Sequence, residues 1–338
     1  MSENGTDLMD YAGKVCVVTG SASGIGRSVC EMLIAQGAVV YGLDRNEYLP
    51  EGMAQFIPTD LADKASIDHA FSLLPARIHC FFGVAGLSGA KTDWWTTFTV
   101  NFSANKYITE AYLEKRMEAG DAIAYVTSTG GLMWEKWQKE YRAVMDCSTW
   151  EEMTAFMKKV APKNGVGIMA YSLSKRAMNY YTNKKAVELA PRGIRVNAVL
   201  PGSTDTGMKQ EFEKMAGGKE ALLRENGTAG RLAPPAEMVR ASTSESMSAS
   251  ITPIFISSFS ASMVRVRVVV LPEPGLDIRF RRNTPFSFSS ARSFAASSSL
   301  EANTLWRISR ILKDSTSLTL HGSYRWSGQK ESPARAER

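Results

Sequence analysis

The stretch from Lys14 to Gly26 constrains this chain most. An apolar run, Lys14-Val15-Cys16-Val17-Val18, leads into Thr19-Gly20-Ser21-Ala22-Ser23-Gly24-Ile25-Gly26, and then Val29, Met32 and Leu33 recur at helical spacing. Strand, glycine turn and helix in that order let Gly20, Gly24 and Gly26 turn the chain tightly, bring backbone up to a pyrophosphate and pack helix against strand. The phosphates would rest on the helix N-terminus. A glycine cluster by itself is equally well read as a flexible loop, so the weight falls on the residues downstream of it.

A second apolar run, Ala38 to Leu43, ends at Asp44, which lies 18 residues past Gly26. A carboxylate there would accept hydrogen bonds from an adenosine ribose and repel a 2′-phosphate, which favours NAD over NADP. The alternative for Asp44 is a strand-end turn residue. Arg45 next to it would soften the preference, but nothing basic occupies the glycine turn itself. Phe56 to Leu61 reads as a third strand, in which Asp60 either meets the adenine edge or caps the helix beginning near Lys64. His79 to Gly86 reads as a fourth, running into a glycine turn. Strand and helix patterns alternate, which predicts an α/β fold of Rossmann type, a doubly wound parallel sheet.

Further along, Tyr171-Ser172-Leu173-Ser174-Lys175 places a phenol and an ammonium one helical turn apart, on one helix face. A free tyrosine, with a pKa near ~10, is a poor acid or base at neutral pH. A cation about 4 Å away at an effective dielectric of ~20 would interact by ~4 kcal/mol, or about 3 pKa units, and bring a tyrosinate near pH 7. Such a pair also occurs by chance on solvated helix faces.

Charge and cysteine usage exclude other classes. The net charge of +6 lies wholly in residues 241–338, which hold 13 Lys and Arg against 7 Asp and Glu, while residues 1–240 balance at 27 against 27. No nucleic-acid footprint is expected on the folded part. No apolar run approaches the ~18 residues of a membrane span, and the first dozen residues are polar and acidic, so a cytoplasmic protein with no membrane association is expected. Cys16, Cys30, Cys80 and Cys147 lack CxxC spacing or neighbouring histidines, which predicts reduced thiols and no metal site.

Five ordered motifs over about residues 12–238 make the chain resemble the short-chain dehydrogenase/reductase family. They are Thr19–Gly26, Asn101 in Thr99-Val100-Asn101-Phe102, Ser128 after Ala124-Tyr125-Val126-Thr127, Tyr171 with Lys175, and Pro201-Gly202-Ser203-Thr204-Asp205-Thr206. The resemblance implies hydride transfer between NAD and a secondary alcohol or ketone. Tyr171 would be the proton-transferring group, Ser128 would hydrogen-bond the substrate oxygen, Lys175 would depress the Tyr171 pKa and hold the nicotinamide ribose, and Asn101 would anchor a water relay to Lys175. Cofactor contacts would come from Gly20, Ser23, Gly24, Ile25, Gly26, Asp44, Asp60, Leu61, Ala85, Gly86, Pro201, Gly202, Thr204 and Thr206, with Tyr171 and Lys175. Thr206 would bind the nicotinamide carboxamide. Residues 207–217 would form a lid helix with Met208, Phe212 and Met215 over the substrate. A homo-oligomer is implied too, though the altered C-terminal segment would disfavour it. The family's asparagine-rich turn after the fourth strand reads Gly83-Val84-Ala85-Gly86 here, a departure that bears on a structural hydrogen bond and not on the catalysis.

Two segments depart further. Between Ser128 and Tyr171 the chain is about thirty residues longer than the family's dozen or so, with the insertion near residues 131–165. Trp134, Trp137, Tyr141 and Met145 recur at helical spacing, then Ser148-Thr149-Trp150-Glu151 offers a capping box ahead of Met153, Phe156, Met157 and Val160. That predicts a helical hairpin whose apolar stripe packs rather than lines a pocket. Such an insertion resembles the branch of 3α-hydroxysteroid dehydrogenase/carbonyl reductases and coniferyl-alcohol dehydrogenases, which implies a bulky apolar substrate: a hydroxysteroid or bile acid, or else an aryl or terpenoid alcohol. After Met238 the resemblance stops. Residues 241–338 are rich in serine and arginine, and read as a disordered basic tail, a binding appendage, or an out-of-frame stretch never selected to fold. On the last reading the sheet lacks its final core strand, leaving a protein that binds NAD with impaired turnover. Within this segment Val264–Leu271 patterns as a strand and Leu305–Leu312 as a short helix.

Overall fold

The computed structural model describes residues 11–132, 134–162, 167–225, 231–239 and 255–258. One sheet holds seven parallel strands: β1 Val15–Thr19, β2 Val39–Asp44, β3 Gln55–Pro58, β4 Cys80–Gly83, β5 Ala122–Val126, β6 Arg195–Pro201 and β7 Phe255–Ser258. Their order is β3-β2-β1-β4-β5-β6-β7. The central strands are apolar on both faces, as a helix-covered parallel sheet requires: every residue of β4, Cys-Phe-Phe-Gly, is buried. Cys16 and Val18 pack with Val29 and Leu33 of the helix Gly24–Ala35 on one face. Val17, Phe81 and Ile123 pack with Phe98, Phe102 and Tyr181 on the other. This is the expected doubly wound sheet.

The order reverses beside β1, with β2 on one side and β4 on the other, so a crevice opens past the carboxyl ends of these two strands. Two helical stretches carry side chains toward it. One is a continuous run over residues 94–116, started by Asp93, whose carboxylate accepts from Thr96 N at 2.7 Å, and containing π-type stretches at Thr99–Ser103 and Thr109–Leu113. The other is the long helix Gly167–Leu189.

The insertion is helical as expected, with a 3₁₀ turn Trp134–Trp137 and helices Gln138–Met145 and Trp150–Val160. Tyr141, Met145, Met153 and Met157 are buried in the main core. Trp134 and Tyr141 pack on the Tyr180 ring and Trp150 on Tyr107. The stripe is packing. The capping box sits one residue later than expected: Thr149 Oγ1 accepts from Glu152 N at 3.1 Å, while Glu152 accepts from Thr149 N at 3.3 Å and from Ser148 N at 2.7 Å. Thr149 is the last extended residue before the helix, and that fixes which glutamate reaches back.

A second correction concerns the sheet edge. A final strand is present: β7 pairs in parallel with β6, Ala198 opposite Phe255 through Pro201 opposite Ser258. The local run Ile254-Phe255-Ile256 suits a strand, although the serine-rich composition around it points the other way. The third strand also ends at Pro58, so Thr59, Asp60 and Leu61 form the loop beyond it. By contacts the chain divides into residues 1–269 and 270–338. The second unit, the patterns at Val264–Leu271 and Leu305–Leu312, and most of the tail lie outside the described residues. Among the described residues no helix is long and apolar enough to cross a membrane.

Candidate active site

A cavity of 590 Å³ occupies the crevice. At one end, Gly20 has φ +71°, and a Cβ there would lie 2.8 Å from Ala85 Cα, so only glycine lets the two loops approach this closely. A Cβ on Gly26 would lie 2.0 Å from Gly20 O. Thr19 closes the cradle: its hydroxyl accepts from Val84 N at 3.1 Å and Ala85 N at 3.2 Å. That bond supports the turn where the family's asparagine-rich sequence is missing. Ser23, Gly24 and Ile25 line the floor, and Gly86, Pro201, Gly202, Thr204 and Thr206 line the wall further along.

Asp44 ends β2 at the cavity. Its two oxygens accept from Ala22 N at 3.1 Å and Asn46 N at 3.0 Å, which aims the carboxylate across the glycine turn. Asp60 and Leu61 line the same end. Asp60 does not cap the following helix; Asp63 does, accepting from Ala65 N at 3.0 Å, while Asp60 Oδ1 accepts from Ala62 N at 2.8 Å.

At the other end the long helix presents Tyr171 and Lys175, and the turn after β5 presents Ser128. Lys175 is buried, and its Nζ donates to Val126 O at 3.0 Å and lies 5.8 Å from the centre of the Tyr171 ring. Burial pushes this ammonium down to about 8. Burial also pushes the Tyr171 phenol above its ordinary value, and the opposing influence is a hydrogen bond from Ser128. The expected depression of Tyr171 by Lys175 is therefore corrected: burial sets the shift upward, and the Lys175 ammonium donates to the Val126 carbonyl. At neutral pH Tyr171 is a phenol with its proton in place.

Of the site residues expected from sequence, Asn101 alone does not line the cavity. It sits in the first π-type stretch, buried, with Oδ1 accepting from Leu87 N at 2.8 Å and Nδ2 donating to Leu87 O at 2.9 Å and Ser174 Oγ at 3.2 Å. Its side chain clamps the loop after β4 onto the long helix. All others converge on the one cavity.

The lid is closed. Helix Lys209–Ala216 sets Phe212 edge-on to Tyr171, ring centres 5.4 Å apart. Glu211 on the same helix accepts from the buried Ser88 hydroxyl and pairs with Lys91 at 2.7 Å. These partners hold the Glu211 carboxyl below its usual range against the upward push of burial.

Residues 14–146 match the family model described as short chain dehydrogenase, and residues 153–244 match one described as Enoyl-(Acyl carrier protein) reductase. Coniferyl-alcohol dehydrogenase of Pseudomonas sp. (strain HR199 / DSM 7063) is 32% identical over 213 residues, 62% of this chain and 80% of that enzyme. The chain belongs to the short-chain dehydrogenase family. Cyclopentanol dehydrogenase of Comamonas sp. (strain NCIMB 9872) is 29% identical to this short-chain dehydrogenase over 68% of the chain and 87% of its own length. The 3-alpha-hydroxysteroid dehydrogenase of Pseudomonas sp. B-0831, solved with NADH, shares the fold with a TM-score of 0.59 at 21% identity, covering 72% of this chain and 95% of its own.

Sequence reasoning missed Leu87, Thr129, Gly130, Ile168 and Leu222 as cavity residues, and Glu211 as the lid's tether. The tether joins positions 123 residues apart, and neither end stands out locally. A partly exposed, charge-assisted contact of this kind contributes about 1 kcal/mol. Glu211→Ala in this short-chain dehydrogenase is therefore expected to raise KM for the alcohol about fivefold with kcat little changed, a split that steady-state kinetics reads directly.

Proposed function

We propose that this short-chain dehydrogenase is an NAD-dependent oxidoreductase that interconverts a secondary alcohol and a ketone on a bulky apolar substrate. The observation that carries the reading is the convergence of Ser128, Tyr171 and Lys175 at one end of a cavity whose other end is a glycine cradle facing Asp44. The cradle fits a dinucleotide: a Cβ at Gly20 or Gly26 would fill the space where backbone packs closely, and the helix Gly24–Ala35 offers its N-terminus. Gly20, Ser23, Gly24, Ile25 and Gly26 would hold the pyrophosphate, Asp44 the adenosine ribose, Asp60 and Leu61 the adenine, and Ala85, Gly86, Pro201, Gly202, Thr204 and Thr206 the nicotinamide half. NAD, when bound, supplies or accepts the hydride.

The chain's own residues do the rest. In ketone reduction Tyr171 donates its hydroxyl proton to the substrate oxygen, and in alcohol oxidation it takes that proton back. Ser128 donates a hydrogen bond to the same oxygen as charge develops on it. Lys175 provides a positive field beside the phenol, which Phe212 covers on one side. The outer cavity is lined by Leu87, Ile168, Met208, Met215 and Leu222 as well as Phe212, all apolar. That lining suits a hydroxysteroid or bile acid. The edge-on Phe212 over Tyr171 and the relation to coniferyl-alcohol dehydrogenase favour an aryl alcohol as a second reading.

The test is NADH formation by the purified chain with hydroxysteroids, bile acids and aryl alcohols side by side. Silence across the panel sinks the substrate class. Cofactor choice is tested by Asp44→Ala. Hydrogen bonds to a charged group contribute about 1.5–3 kcal/mol. KM for NAD should rise at least about tenfold, and NADP should gain relative to it once the carboxylate no longer repels a 2′-phosphate. An unchanged ratio of kcat/KM for the two cofactors would remove Asp44 from the site.

A further inference from the structure

Ser128 opens the short 3₁₀ turn Thr129–Gly131. Its Oγ accepts from Gly130 N at 3.0 Å, and its carbonyl accepts from Gly131 N at 2.9 Å. With the hydroxyl oxygen held by a backbone donor, the hydroxyl proton is left free for Tyr171 or substrate. What holds the turn is a side chain one helical turn beyond Lys175. Asn179 is fully buried, and its Nδ2 donates to Gly131 O at 2.8 Å. A Cβ on Gly131 would lie 2.7 Å from that nitrogen and 2.7 Å from Lys175 O, so the turn rests directly on the helix that carries Tyr171 and Lys175.

The other half of the amide is informative. Asn179 Oδ1 is buried with no hydrogen-bond partner among the described residues. An unpaired buried acceptor costs folding free energy, so leucine, of similar volume, would pack there at least as well. The one thing asparagine supplies and leucine cannot is the bond to Gly131.

We propose that Asn179 is a positioning residue, which docks the Ser128 turn on the long helix and so sets the distance and direction of the Ser128 hydroxyl relative to Tyr171. It touches neither substrate nor cofactor and acts through Ser128. The inference rests on the roles proposed above for Ser128 and Tyr171.

The experiment compares Asn179→Leu, Ser128→Ala and the double variant with the wild-type chain in alcohol oxidation across pH. A misplaced catalytic group costs roughly tenfold to a hundredfold in rate. Asn179→Leu is expected to lower kcat by that factor with KM within about twofold, because Asn179 itself lies outside the cavity lining and the apolar residues that hold the substrate keep their places. The rate of oxidation rises as Tyr171 loses its proton, and Ser128 is what pulls that pKa down. Asn179→Leu should therefore move the rising limb to higher pH, as Ser128→Ala does, and add nothing further in the double variant. A folded Asn179→Leu protein with unchanged kcat and limb overturns the proposal, as do losses that multiply with Ser128→Ala. Should the leucine variant fail to fold, Asn179→Ala is read the same way. An ultraviolet titration of the Tyr171 phenolate, taken as the difference from Tyr171→Phe, reports the same shift without turnover. Absence of activity in the wild-type chain would therefore count against the proposed function and leave this test standing.

Discussion

Tyr171→Phe is expected to cut turnover by about a thousandfold or more while NADH still binds. The substitution removes one oxygen and little else. The ring remains to meet the Phe212 edge at 5.4 Å and the Lys175 ammonium at 5.8 Å. The helix keeps its packing, and no charge is lost, since burial holds the phenol protonated at neutral pH. What disappears is the proton that must move to or from the substrate oxygen. General acid–base catalysis of this kind contributes about 10²–10⁴, and Ser128 loses its partner in the same stroke, which places the effect toward the upper part of that range. Initial rates and a fluorescence titration with NADH measure the two halves separately. Turnover above about a hundredth of wild type would remove Tyr171 from the acid–base role, and loss of NADH binding would mean that the hydroxyl serves the cofactor instead.

Much of this site is legible in sequence because its chemistry is local. Gly20, Gly24 and Gly26 fall within one turn, Tyr171 and Lys175 within another, and Asp44 closes the strand next in line; each is a short-range pattern whose backbone consequence is nearly forced. The contacts that escape such reading are those between distant residues with unremarkable neighbours. Asn179 reaches Gly131 across 48 positions and Glu211 reaches Ser88 across 123. Thr19 compensates for the altered turn after β4 through a hydroxyl that nothing in the local pattern singles out. Asn101 shows a different limit: its residue type and place are readable, but the bonds that tie its side chain to Leu87 and Ser174 are long-range contacts that no local pattern supplies. The direction of the Tyr171 shift needs burial, which spacing along a helix does not supply. β7 is missed for the opposite reason, since a four-residue strand inside serine-rich sequence gives composition more weight than its short apolar run.

The same burial makes Lys175 costly to keep, and Lys175→Met is expected to yield a more stable protein that is inactive. The Lys175 ammonium has its pKa pushed from 10.5 down to about 8 by desolvation. A cation whose folded pKa is lowered works against the fold wherever it must stay charged. Between pH 8 and 10.5 the unfolded chain holds a proton that the folded chain has released, so stability climbs with pH across that window. Below 8 the full cost applies, about 3 kcal/mol for a shift of this size. Methionine removes the charge and keeps most of the stem's packing, at the loss of the hydrogen bond to Val126 O, about 1 kcal/mol. The net gain near neutral pH is about 2 kcal/mol, a rise in Tm of roughly 4–8 °C for a domain of this size. The sign and its pH dependence are the test. Thermal melts of the two proteins should favour the variant near pH 7, draw together as pH climbs past 8 and cross as it nears 10.5, where only the lost hydrogen bond remains, while kcat of the variant falls at least about a hundredfold for want of the positive field beside Tyr171. A variant less stable than wild type at every pH would mean that Lys175 is held by partners strong enough to offset its desolvation, and its ammonium would then stay charged well above pH 8 as an ordinary structural cation.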